Sequence, residues 1–67
     1  MGIKTVAYIQ IKLAEEERSR PIVIWCELNI GSYSKLWDFN FIGTHKELIF
    51  EFARKEDATL FALRWAR

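Results

Sequence analysis

Chemistry in this chain of 67 residues would have to come from few side chains: one cysteine, Cys26, one histidine, His45, and 9 aspartates and glutamates. A nucleophile needs a base within hydrogen-bond reach and a third group to orient that base. Cys26, His45 and either Asp38 or Asp57 supply the residue types, but nothing in their spacing brings them together. His45 lies in "GTHK", where a hairpin turn is expected, and reads as a solvent-exposed turn residue. One Cys and one His fall short of a zinc site. The run Glu15, Glu16, Glu17 points in successive directions and does not converge on a cation without a special loop. Gly2, Gly31 and Gly43 stand alone, so no phosphate-cradling loop is present. The expectation is a protein with no enzymatic activity, metal or cofactor.

Composition narrows the remaining classes. An apolar fraction of 51% and an aromatic fraction of 15% belong to a folded chain rather than a disordered tail. The formal charge of +1 gives no global field to draw in a phosphate backbone. A single cysteine excludes an internal disulfide and fits a reducing cytoplasm, and its neighbours Trp25 and Leu28 suggest a buried thiol. No segment reaches the ~18 uninterrupted apolar residues of a membrane span, and the N-terminus opens straight into a strand pattern without a secretory signal. Residues 1–67 are expected to form one cytoplasmic domain, near the lower size limit for a core that holds without metal, disulfide or partner.

Five elements must position whatever surface does the work. In residues 3–13, Ile3, Thr5, Ala7, Ile9, Ile11 and Leu13 alternate with Lys4, Val6, Tyr8, Gln10 and Lys12, the pattern of a half-buried strand. After the charged connection "AEEERSR", residues 20–30 carry conflicting signals. The β-branched run Ile22, Val23, Ile24 favours a strand. Ser19 as N-cap, Pro21 in the first turn and Gly31 at the C′ position favour a helix. Read as a helix, the segment is apolar on most sides and either heavily buried or a second sticky surface. Trp37, Phe39 and Phe41 then alternate with Asp38 and Asn40, and past the turn Leu48, Phe50 and Phe52 alternate with Glu47, Ile49 and Glu51. The pair predicts an antiparallel hairpin with its aromatic side inward. A final helix over residues 55–65 buries Ala58, Phe61, Ala62 and Trp65, with Glu56 and Asp57 at its positive end and arginines at its negative end.

The order strand, helix, strand, strand, helix with a right-handed crossover predicts an α+β fold. It is a split β-α-β-like layout, a three-stranded antiparallel sheet with the third strand central and two helices on one face. The first strand is then a free edge. Lys4 and Lys12 stand near its ends, with Val6, Tyr8 and Gln10 as an unguarded middle. A homodimer is expected, through this edge or through the last helix.

That helix holds the best clue to function. Leu60 and Leu63 fall on its wet side, one turn apart and next to Arg64 and Arg67. A leucine pair with a basic rim resembles a small protein interface, and these four residues are the candidate partner-binding patch. The alternative is a single-stranded nucleic-acid module using Lys4, Tyr8 and Lys12. One tyrosine and two lysines on a face shared with Asp38 and Glu51 make a poor stacking platform.

The stretches "WCELNIG" and "FEFARKEDATLFALRW" carry a resemblance. Trp25, Cys26, Glu27, Gly31, Phe50, Phe52, Glu56, Asp57, Ala58, Phe61, Leu63 and Trp65 match a pattern in small, mostly uncharacterised proteins of tailed phages. There an aromatic strand leads into an E-D-A start and a closing F-x-L-x-W helix. The resemblance covers roughly the last two thirds of the chain, and the segment before Trp25 fits it less well. It implies no activity. It implies a context, the host cytoplasm, in which short phage proteins bind and inhibit or redirect a host polymerase subunit, nuclease or defence complex.

Overall fold

The computed structural model describes residues 3–66. Strand β1 (Ala7–Lys12), helix α1 (Arg20–Asn29), strands β2 (Trp37–Ile42) and β3 (Thr44–Phe52), and helix α2 (Lys55–Trp65) follow one another in the expected βαββα order. The sheet order is β1-β3-β2, with β3 antiparallel to both neighbours. Ile9, Phe50 and Phe39 form one row across it, and Ala7, Phe52 and Trp37 the next. Period-two alternation puts every member of these rows on the same face, and Leu48, Phe50, Phe52 and Trp37 are fully buried there.

Both helices cover that face. Ile22 and Cys26 of α1, four residues apart, and Ala58 and Phe61 of α2 enter one core with Ile11, Leu13, Ile30 and the sheet aromatics. Phe61 lies 4.8 Å from Phe50 and 5.1 Å from Phe52, ring centre to ring centre. Such tilted aromatic pairs add to plain burial. The burial fades towards the hairpin, where Phe41, expected inside with Trp37 and Phe39, is 51% exposed.

The ambiguous segment is a helix. Its β-branched run is overridden by its ends: Pro21 sits in the first turn, and Gly31 follows the C-cap with φ +139°. A Cβ at Gly31 would also sit 2.6 Å from Leu36 Cδ1, the movable end of a side chain, so it is the backbone conformation that requires glycine here. Ser19 is the N-cap residue, but its side chain caps nothing; only its carbonyl is used, accepting from Ile22 and Val23. α2 starts with Arg54 extended, and Asp57 in its first turn pairs with the Arg54 Nε at 2.7 Å. Arg64 stands in its last turn, as the helix dipole favours.

The hairpin is tighter than "GTHK" suggests. Gly43, with φ +71°, alone separates β2 from β3, and a bulge between Phe41 and Ile42 absorbs the register shift. Lys46 consequently falls inside β3. Its ammonium reaches the carbonyls of Ala14, Glu15 and Glu17 at 3.4, 2.6 and 3.1 Å, which organises the charged connection after β1.

Candidate protein-binding surface

Each helix turns one stripe to the core and is left with apolar side chains it cannot bury. On α1, with Ile22 and Cys26 inward, Trp25 projects sideways to meet Phe61 and Trp65 of α2 edge-on, at 6.1 and 6.3 Å. Ile24 and Leu28, four residues apart, therefore face out, Leu28 with 79% of its surface exposed. On α2, with Phe61 inward, Leu60 is 42% and Leu63 83% exposed. A lone exposed leucine needs no explanation. Here exposed aliphatic residues occur on both helices, with a groove between them lined by Pro21, Ile24, Trp25, Leu28 and Trp65.

Arginines rim this groove. Arg20 stands at the α1 end and Arg64 at the α2 end. The Arg64 guanidinium lies 4.0 Å above the Trp65 ring, a cation–π contact that holds the charge at the groove without neutralising it. Neither arginine forms an ion pair with another described residue; the ion pair of this layer is Arg54 with Asp57, whose carboxylate holds the Arg54 guanidinium above its ordinary pKa. Arg20 also sits in the first turn of α1, where the dipole disfavours a cation. An anionic group brought to this end would relieve that cost.

The expected patch is thus partly assembled. Leu60, Leu63 and Arg64 share the outer flank of α2, while Arg67 lies outside the described residues. Arg64 also joins this flank to the groove, whose α1 residues Pro21, Ile24 and Leu28 were not among the expected binding residues. Once residues 20–30 are read as helical, Ile24 and Leu28 fall opposite Ile22 and Cys26, so the signal was present in the spacing.

The remaining candidates carry less. Cys26 is fully buried, and burial pushes its thiol up to about 12, far from the thiolate a nucleophile needs. His45 is exposed at the hairpin, beside Phe41 and Lys46. Among the described residues, no group of three or more His, Cys, Asp or Glu side chains could hold a metal ion. Among the described residues, no helix is long and apolar enough to cross a membrane. The sheet face opposite the helices carries exposed Tyr8 and Lys12, but Glu47 stands across from Lys12 and Glu51 across from Tyr8, with Asp38 next in that row. These carboxylates would repel a phosphate backbone. Comparison with protein-family models, curated proteins and solved structures finds no match to this chain.

Proposed function

We propose that this chain is a small, non-catalytic protein-binding domain that acts by occupying a partner through the outer face of its two helices. The carrying observation is that the two most exposed large apolar residues described, Leu28 and Leu63, lie one on each helix, Leu28 in a groove rimmed by Arg20 and Arg64, which form no ion pair with another described residue, and Leu63 next to Arg64 on α2. The partner that fits is a protein segment with apolar side chains for the groove and carboxylates for the arginines, such as an acidic amphipathic helix. The phage resemblance supplies the setting: the bound protein is a host protein, and the effect is to inhibit or redirect it.

Reburying one leucine contributes about 1.5–3 kcal/mol, and about 1.4 kcal/mol is a factor of ten in affinity. Leu28→Asp and Leu63→Asp, each checked by circular dichroism to be folded, should therefore each weaken capture of a bacterial-lysate partner at least about tenfold. Arg20→Glu with Arg64→Glu should weaken it further at low salt. Equal recovery of the same partners by wild type and by all these folded variants would remove the surface from consideration.

A further inference from the structure

The ladder between β1 and β3 decides which backbone groups of β1 are spare. Leu13 N–H donates to the Lys46 carbonyl at 2.7 Å, and antiparallel pairing alternates from there: Ile11 and Ile9 turn their polar groups towards β3, and Tyr8, Gln10 and Lys12 turn theirs outward. Val6 N–H is already committed to the Phe52 carbonyl at 2.9 Å. Among the described residues nothing bonds to the outward groups of Tyr8, Gln10 and Lys12. Val6 and Tyr8 beside them are 58% and 64% exposed.

We infer that β1 pairs antiparallel with β1 of a second copy about a two-fold axis through Gln10, making a continuous six-stranded sheet. The occupant and the register both follow from the side chains. Centring on Gln10 sets Tyr8 opposite Lys12 of the second copy, Gln10 opposite Gln10, and Lys12 opposite Tyr8. These three pairs use only outward-facing residues, each exchanging two hydrogen bonds. On the polar face each Lys12 then lies between Glu47 of its own β3 and the ring of Tyr8 of the second copy, so the cation has a carboxylate on one side and an aromatic on the other. On the core face, Ile9 meets Ile11 of the second copy. Centring on Tyr8 instead would oppose Lys4 to Lys12, a like-charge pair, and centring on Ile9 would need the Val6 N–H that Phe52 already holds.

The register makes the test specific. Opposed Gln10 residues would have Cα atoms about 5.5 Å apart, within disulfide reach. The two Tyr8 residues would lie four positions apart along the ladder, about 13 Å. Sedimentation equilibrium should give twice the chain mass of 8.0 kDa at high concentration. Under mild oxidation Gln10→Cys should form a covalent dimer, Tyr8→Cys alone at least tenfold less, and a mixture of Tyr8→Cys with Lys12→Cys a mixed dimer; the fully buried Cys26 does not compete. A mass of one chain at all concentrations would overturn the inference. So would equal cross-linking through positions 8 and 10, or a dimer lost on Leu60→Asp with Leu63→Asp and not trapped by Gln10→Cys. The inference is independent of the proposed partner binding, which does not use β1.

Discussion

Along the outer side of β2, the Trp37 carbonyl accepts from Ser34 N–H at 2.7 Å and the Phe39 N–H donates to the Asp38 carboxylate at 2.7 Å. Along the outer side of β1, the corresponding groups of Tyr8, Gln10 and Lys12 find no partner among the described residues. Both are edges of the same sheet, and both strands alternate apolar and polar residues. The difference lies in what precedes them. Residues 31–36 double back on β2: Tyr33 bridges to Trp37, its ring meets Trp37 and Phe39 at 5.2 and 6.0 Å, and Ser34 takes the left-handed φ of +64° needed to turn there. Among the described residues no such segment bonds to the outer side of β1. An exposed edge is a template for another strand, so covering the Trp37–Phe39 end of one edge and leaving the other bare favours strand pairing through β1, which suits a closed dimer.

The largest expected effect comes from breaking the cover at its root. Gly31 starts the segment, and its carbonyl accepts from the Trp37 indole N–H at 2.9 Å. Gly31→Ala must strain a backbone at φ +139° and displace Leu36, so a loss of at least about 1–3 kcal/mol is expected in urea denaturation. A variant as stable as wild type would mean that the cover does not depend on this turn.

A smaller effect is expected at the end of β1. Lys46→Met removes an ammonium that gathers three carbonyls of residues 14–17 and leaves them to water, which in this exposed setting should cost about 1 kcal/mol. Amide exchange should accelerate over residues 14–18, while Gln10→Cys cross-linking stays unchanged. Lost cross-linking would show that this connection, rather than the strand itself, sets the open edge.

How far these features were legible depends on whether they are local. Which face of β1, β2 and β3 is buried could be read from alternation alone, because side-chain direction in a strand has period two. α1 was decided by Pro21 and Gly31, single residues whose backbone limits outweigh the preference of Ile22, Val23 and Ile24. The bonds of Lys46 to residues 14–17, and of Ser34 to Trp37 over the edge, join irregular segments and leave no period to detect. The groove was half legible for the same reason. Helical spacing showed Leu60 and Leu63 to be spare, but that Ile24 and Leu28 share a groove with Arg64 and Trp65 depends on how two helices lie together.

Asp38→Ala tests whether the closed edge is a guard. It frees the Phe39 N–H, so about 0.5–1.5 kcal/mol of stability should be lost, and sedimentation velocity should detect species larger than a dimer as concentration rises. Association indistinguishable from wild type would mean that Tyr33 and Ser34 close the edge without Asp38.

The smallest effect is a titration. The Asp38 carboxylate facing the Tyr33 hydroxyl raises the phenol above its ordinary pKa near 10.0, first by accepting its proton's hydrogen bond, then, after burial, by its negative charge. The folded chain prefers the protonated phenol, so the stability from this bond is present in full below pH 10 and is lost as pH rises through the raised value. In a Tyr8→Phe background Tyr33 is the only tyrosine, and its phenolate absorbance can be followed alone. Its midpoint should lie above that of a free tyrosine, and Asp38→Asn should bring it down by removing the charge that holds the proton. An unmoved midpoint would detach Tyr33 from Asp38, leaving the β2 edge covered only by the Ser34 bond to Trp37 and the Asp38 bond to Phe39.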